Sequence, residues 1–266
     1  MKQITINAAL MRMVAVMLLT LGTASASAQY YMNIRTSDGT DVQYLLKDID
    51  SVWFTNSAVP TYEYVDLGLS VKWATCNVGA TNAEEFGDYF AWGETETKTE
   101  FTWENYKFRE SGDSDSNIKL TKYNNKREYG IIDNKETLDL EDDVAYVKWG
   151  GNWRMPTKDE QDELRKDCTW TKTTLNGING FLVTSKKSGF TDRSIFLPAA
   201  GGIAGTERTI EQTYNPNREW IGFYWSSSIG GRASILAWYG SFGSFEGVSV
   251  HDCNRYIGHT VRPVCP

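Results

Sequence analysis

The last 45 residues, Gly222 to Pro266, constrain this chain more than any other stretch. They open with Gly222-Phe-Tyr-Trp-Ser-Ser-Ser228 and close with Gly258-His-Thr-Val-Arg-Pro-Val-Cys265. Both ends are aromatic or β-branched and bounded by Gly or Pro, the pattern of strands in a buried sheet. Tyr224, Trp225, Val261 and Val264 are therefore core candidates, and Thr260 to Val264 is read as a strand. Between the ends lies a mixture of rings and small polar residues. Large rigid rings give contact area at small entropic cost, and Ser, Gly, Asn and His give adaptable hydrogen bonds. Tyr239, Phe242, Phe245, His251, Asp252, Asn254 and Tyr256 are the contact candidates this suggests, with Trp238 either a fixed anchor or a core residue.

Upstream the chain divides by composition. Residues 1–28 have the form of an export signal: Lys2 and Arg12 supply positive charge, Met13 to Leu21 an apolar run, and Ala26-Ser-Ala28 a small-residue cleavage site. That run is too short to span a bilayer, so no membrane insertion is expected once the signal is removed. No cysteine precedes Cys76, which leaves no lipid-accepting cysteine near the cleavage site. The expected location is outside the cytoplasm: periplasmic, cell-surface or extracellular.

Residues 29–56 read as a small β unit, with a turn signal at Ser37-Asp-Gly-Thr40, and residues 57–61 as a linker. The main domain is expected from 62 to 266. There Leu69, Val71 and Trp73 alternate with polar neighbours, as on a half-buried strand. Glu94 to Asn134 is the most polar part of the chain and reads as a long surface excursion with local turns. Leu140, Val144 and Val147 recur at helical spacing, predicting a short helix over Leu138 to Trp149 ended by Gly150-Gly151. Thr157 three residues before Glu160 is a capping box, starting a second helix that runs to about Asp167 with Leu164 and Cys168 on one face. Further strands are expected at Gly180–Thr184, Ser194–Pro198 and Tyr224–Trp225.

Charge and cysteine usage exclude some functions. There are 27 basic against 34 acidic residues and no basic run, so nucleic acid and anionic membranes are poor partners. Cys76, Cys168, Cys253 and Cys265 allow two disulfides in three connectivities, or free thiols; no C-x-x-C pair supports a metal site.

Six motifs recur in order between residues 62 and 266: YVDLGLSVKWATCNVG from Tyr64, GDYFAWGE from Gly87, WGGNWRMPT from Trp149, IFLPAAG from Ile195, YWSSS from Tyr224 and VRPV from Val261. Together they resemble the Fibrobacter succinogenes major paralogous domain. The resemblance implies an α+β, C-type-lectin-like fold, in which two short helices flank small antiparallel sheets and a long loop region bears ligand contacts. Gln161 departs from the family pattern, which places an aromatic there; the helix is therefore expected to dock less firmly, through Leu164 and Cys168.

The Arg-x-Pro-Thr helix also resembles the formylglycine-generating enzymes, which makes an oxidase the natural enzyme alternative. The closely spaced cysteine pair such enzymes require is not met by Cys253 and Cys265. Retroelement-diversified proteins of the same fold carry their variable residues just before a strand resembling Thr260–Val264; adenine-directed mutagenesis of Asn codons cannot produce Trp, Glu, Lys, Gln or Met, and the window Ser234 to His259 has only Trp238 and Glu246 of that set, a composition that an ordinary loop-and-strand surface shares.

Other constellations fail on their chemistry. Asp113-Ser-Asp-Ser-Asn117 lacks the Gly and the final Glu of a calcium loop, and Asn215-Pro-Asn217 lacks the second half of a lectin sugar site. His251 and Cys253 lack an announced orienting group or oxyanion site. Gly201-Gly-Ile-Ala-Gly205 lacks the Lys of a phosphate loop. Glu84, Glu85, Asp88 and Glu94 read as a solvated acidic rim. The expectation is an exported binding protein that recognises a protein or glycan without catalysis, metal or cofactor. A structural or adhesive surface subunit is the third class.

Overall fold

The computed structural model describes residues 4–7, 30–35, 40–48, 52–55, 62–110, 117–208, 220–244 and 247–266. The chain forms two compact units, Met1–Thr61 and Tyr62–Pro266. Of the expected export signal only part of the first seven residues falls among the described ones, and residues 57–61, the expected linker, lie outside them.

In the first unit, β1 (Ile4–Asn7) pairs in parallel with β4 (Val52–Thr55). β2 (Tyr31–Arg35) and β3 (Asp41–Leu45) form an antiparallel hairpin in the register Tyr31↔Leu45 to Arg35↔Asp41. Alternate residues are exposed along both hairpin strands, as the period of a one-faced strand requires. Arg35 and Asp41 close the hairpin with a bidentate pair at 2.7 Å, which is solvent-exposed and contributes little.

Among its described residues the second unit is α+β, with two α-helices and several small, antiparallel sheets. One sheet joins β5 (Tyr64–Val65), β6 (Lys72–Ala74) and β15 (Val264–Cys265), so the end of the unit pairs with its beginning through Val264↔Trp73. A second joins β7 (Cys168–Leu175), β8 (Ile178–Ser185) and β9 (Ser194–Pro198). The third joins β12 (Gly222–Ile229), β13 (Leu236–Ser244) and β14 (Gly247–Asn254). A two-residue pair, β10 (Ile203–Ala204) with β11 (Glu207–Arg208), completes the set.

Tyr224, Trp225, Val261, Val264 and Trp73 are all buried, as their apolar character predicts. The expected Thr260–Val264 strand is shorter in fact. Thr260 makes a single parallel bridge to Tyr224, Val261 to Pro263 run buried without ladder pairing, and only Val264 and Cys265 form strand. Pro263 has no N–H to give a ladder, and Arg262 is used otherwise. Its guanidinium is wholly buried and donates to Asn77 Oδ1 (2.7 Å) and to the carbonyls of Ala74 (3.0 Å), Thr75 (2.9 Å) and Phe196 (3.0 Å). A planar fork with five donors suits this bracing of backbone segments from different sheets. Arg255 does the same elsewhere in the core. It donates to the carbonyls of Lys122 and Tyr123 and lies 4.6 Å over the Trp92 ring.

The helices follow their caps. In α2 (Lys158–Asp167) the Thr157 hydroxyl accepts from Glu160 N at 3.3 Å and Glu160 accepts from Thr157 N at 2.8 Å. Arg154 grips the same carboxylate at 2.8 and 2.5 Å. Burial opposes the charge, but the Arg154 and cap hydrogen bonds outweigh it and hold Glu160 below its ordinary pKa. The expected helix over Leu138–Trp149 is instead a 3-10 turn, Leu140–Asp142, followed by α1 (Val144–Trp149). Asp143 separates them because its side chain accepts from the free N–H groups of Ala145 (3.0 Å) and Tyr146 (3.1 Å), starting a new helix. The buried face is then Val144, Ala145 and Trp149, while Leu140 and Val147 are exposed. Leu140 lies in the 3-10 turn and Val144 and Val147 in α1, so their spacing spans the break and is not that of one helix.

Two further expectations are corrected. Helix α2 is not loosely docked at Gln161. That side chain is buried, and its Nε2 donates to the carbonyls of Tyr224 (2.9 Å) and Trp225 (3.1 Å). A hydrogen-bonded amide performs the docking that the resemblance assigns to a ring, beside Leu164 and Cys168, both buried as expected. The Glu94–Asn134 segment is turn-rich, yet it is no surface excursion. Phe101, Tyr106, Phe108, Ile118, Leu120 and Tyr123 are core residues packed with Trp92 and Trp225. Small sheets leave gaps between them, and rings delivered from loops fill those gaps.

Candidate functional site

The C-terminal sheet sets the geometry of the candidate site. In its central register Trp225 lies opposite Tyr239, and Tyr239 opposite His251; next to them Ala237 pairs with Cys253 and Trp238 with Asp252. Because side chains alternate across a strand, the candidates divide between two faces. Phe223, Trp225, Tyr239 and His251 fall on one, and Trp238 and Asp252 on the other.

The first face is a ring cluster. Tyr239 meets Phe223 edge-on at 5.5 Å, Trp225 edge-on at 6.0 Å, His259 at 4.9 Å and His251 at 6.2 Å. Beneath them Trp225 and His259 are buried with centroids 4.3 Å apart, and the Trp225 indole donates to Phe90 O at 2.8 Å. Phe223, Tyr239 and His251 are half-buried above this base. Tyr256, in the turn after β14, is half-buried and sets its ring edge-on against Trp103 at 5.1 Å. Edge-to-face geometry of this kind adds to area burial and fixes ring orientation.

His259 Nδ1 lies 3.1 Å from Gly258 O, and Nε2 3.4 Å from Cys253 Sγ. A carbonyl only accepts, so Nδ1 carries the proton and Nε2 accepts from the thiol. Burial drives the His259 pKa down to about 3, with the Gly258 bond opposing only in part. Burial also pushes the Cys253 thiol far above its ordinary value, and the nearby Asp252 charge adds to this. At neutral pH the pair is an uncharged thiol on an uncharged imidazole, whereas nucleophilic catalysis needs the thiolate. All four cysteines are free thiols; Cys76, Cys168 and Cys265 are buried.

The remaining candidates do not join this face. Trp238 carries Lys158 Nζ 5.2 Å over its ring, at the start of α2. The Asp252 carboxylate is buried and bound by the exposed Arg232 guanidinium. Asn254 is half-buried at the end of β14, opposite Leu236. Phe242 is a core residue and not a contact residue. It is 1% exposed, within 5.7 Å of the Tyr224, Trp170 and Phe181 rings. A register irregularity in β13 beyond Ser241 accompanies this placement. Phe245 lies outside the described residues, as do Asn215-Pro-Asn217 and most of the Asp113–Asn117 run.

Phe223 and Trp103 are ring residues that the sequence does not offer as contacts, and Cys253, read with His251, is found against His259 instead. Phe223 had a signal in its alternation with the core residue Tyr224. Trp103 had none, since it comes from the segment read as surface.

Among the described residues, Asp139, Glu141 and Asp142 bring three carboxylates together. Lys122 Nζ already sits among them, at 2.7, 2.8 and 2.6 Å respectively. The cluster is an ion-pair network closed by a lysine. Glu94, expected on an acidic rim, is buried and paired with Lys98 at 3.0 Å.

No protein-family model, no curated protein and no solved structure matches this chain. No helix among the described residues is long and apolar enough to cross a membrane.

Proposed function

We propose that this chain is an exported, non-enzymatic binding protein whose second unit is a C-type-lectin-like domain of the Fibrobacter succinogenes major paralogous type. Two helices, small antiparallel sheets and long loops that reach the core support the fold reading. The observation that carries the functional reading is the set of half-buried rings, Phe223, Tyr239 and His251, held on the buried Trp225–His259 base. Such rings lose little freedom when a partner covers them, and rigid aromatic anchors dominate binding energy in comparable surfaces. Tyr256 against Trp103 is a further half-buried aromatic pair of the same unit that a protein or glycan ligand could cover.

The protonation of Cys253 and His259 argues against the oxidase alternative, since burial keeps the thiol protonated. The test is a screen of the signal-free chain against glycans and bacterial or host surface proteins, followed by the His251→Ala/Tyr256→Ala double variant. The reading requires a folded double variant that has lost the affinity found for the parent. Full affinity in that variant would remove the ring face as the site. Oxygen consumption with copper and a thiol peptide would replace the reading with the oxidase.

A further inference from the structure

The hairpin of β7 and β8 carries a site of a different kind. The dipeptide Asn-Gly occurs twice in the chain, at Asn176-Gly177 and Asn179-Gly180, and the fold treats the two oppositely. In this dipeptide the side-chain amide readily meets the next backbone nitrogen, because glycine has no Cβ to hinder the approach and the widest backbone freedom.

Asn176 and Gly177 form the whole turn. Leu175 pairs with Ile178, leaving two residues between the strands, with φ of 47° and 83°. Positive values at both positions belong to the tight hairpin turn that Asn-Gly favours. Both residues are exposed, and a Cβ on Gly177 would meet nothing within 4 Å, so the turn has room to move. Asn179 is placed otherwise. It pairs with Thr174, its side-chain oxygen accepts from the Thr174 hydroxyl at 3.2 Å, and its carbonyl accepts from Ala199 N at 2.8 Å. Gly180 is buried in the central strand between Thr173 and Pro198, where a Cβ would stand 2.5 Å from Leu197 O. Bringing the Gly180 nitrogen onto the Asn179 side chain therefore requires opening the ladder, while the exposed turn rearranges without that cost.

One contact restrains Asn176. Its Nδ2 donates to Glu84 Oε1 at 2.7 Å. Glu84 lies in a turn that its neighbour Glu85 closes, accepting from Thr81 N at 2.6 Å and Asn82 N at 3.1 Å. The Asn176 amide thus ties together two turns that are far apart in the chain. A solvent-exposed hydrogen bond is weak, so it slows the release of this side chain only a few-fold.

We propose that Asn176 is a site of spontaneous modification, the fold directing loss of a side-chain amide to this one of the two Asn-Gly pairs. The Gly177 backbone nitrogen gives its proton to hydroxide and attacks Asn176 Cγ. The N–Cγ bond forms, the Cγ–Nδ2 bond breaks, and Nδ2 takes a proton from water and leaves as ammonia. Water then opens the cyclic imide at one carbonyl to give aspartate, or at the other to give isoaspartate. Nothing is oxidised or reduced. The product sets a carboxylate against the Glu84 carboxylate, so the tie between the two turns becomes a repulsion. The site is separate from the ring face, and neither depends on the other.

The test incubates the full chain at mildly alkaline pH, folded and in urea, and follows the tryptic peptide between Lys172 and Lys186, which holds both Asn-Gly pairs. Fragmentation mass spectrometry places the amide-to-acid mass gain on one asparagine or the other. In the folded chain the gain is expected at Asn176, faster than at Asn179 by roughly tenfold or more, and in urea at comparable rates at both. Asn176→Gln is expected to remove the acidic isoform that ion exchange separates from the aged parent. Glu84→Ala is expected to speed the change at Asn176 roughly threefold, the worth of one exposed hydrogen bond. An Asn176 that stays intact in the folded chain while both asparagines react in urea would overturn the proposal, as would equal gains at the two positions in the folded chain. A Glu84→Ala chain that reacts more slowly than the parent would overturn the restraining role of Glu84.

Discussion

His259 Nε2 accepts from the Cys253 thiol at 3.4 Å, inside a cage made by Trp225, Tyr239 and Phe223. The imidazole is neutral in the folded chain because the cage excludes water, and its pKa is about 3 against 6.5 when unfolded. A folded pKa below the unfolded one means that the unfolded chain takes up the proton first. Stability is therefore full above pH 6.5 and declines as the pH falls from 6.5 towards 3. Between pH 7 and pH 5 the loss from this residue is about 2 kcal/mol. Urea unfolding at pH 7, 6 and 5 should show that decline in the parent chain and a flat profile in His259→Gln. An equal slope in both would assign the acid sensitivity to other groups.

The thiols offer a second check on the same chemistry. Burial raises the pKa of Cys76, Cys168, Cys253 and Cys265, Cys168 to about 11. Alkylation depends on the thiolate and on access. Iodoacetamide at pH 7.5 should therefore label all four cysteines slowly in the folded chain and rapidly in urea, as read by peptide mass. Rapid labelling of Cys253 in the folded chain would mark it as an activated thiol and revive the enzymatic alternative.

Gln161 gives a prediction in which the sequence and the structure disagree on sign. If α2 rested on apolar contact alone, Gln161→Leu would be neutral or stabilising. The amide instead bridges two carbonyls of β12, and removing it costs on the order of 1–3 kcal/mol through lost hydrogen bonds in a buried setting. Thermal and urea denaturation of Gln161→Leu decides between the two.

What the sequence made legible was local. Thr157 with Glu160 marked the start of α2 because a capping box is satisfied by residues three apart. Strands β8, β9 and β12 announced themselves through β-branched and aromatic runs. Strand β7 escaped because its Thr and Lys residues alternate with so few apolar ones, and it follows α2 without a turn. What was illegible depended on partners distant in the chain. Arg262 and Arg255 look like surface cations, and only carbonyls from Ala74, Thr75, Phe196, Lys122 and Tyr123 make them core residues. Phe101, Phe108 and Tyr123 sit in polar sequence, where their burial cannot be seen from neighbours. The candidate site was half legible for the same reason. Composition locates the rings on β12 to β14, while the face each ring occupies follows from register. Within Ser234–His259, positions such as Ala237, Phe242, Arg255 and His259 are buried, so a window that looks free to vary is tied to the core at intervals.

The sharpest division lies between Phe242 and the pair His251 and Tyr256, all three of which the sequence proposes as contacts. The Phe242 ring is enclosed by Trp170, Phe181 and Tyr224, and Gly222 opposite it has no side chain, since a Cβ there would come within 2.1 Å of the ring. Phe242→Ala leaves a cavity that packed neighbours cannot collapse, with a cost of about 3–5 kcal/mol. His251 and Tyr256 are half-buried, and the double Ala variant loses one edge-on contact with Trp103 and a wider contact with Tyr239, about 1.5 kcal/mol in all. Calorimetry should thus show a large fall in melting temperature for Phe242→Ala and a small one for the double variant. Binding per folded molecule should behave in the opposite way, retained by Phe242→Ala and lost by the double variant. Retention of binding in both would place the ligand elsewhere than on the ring face.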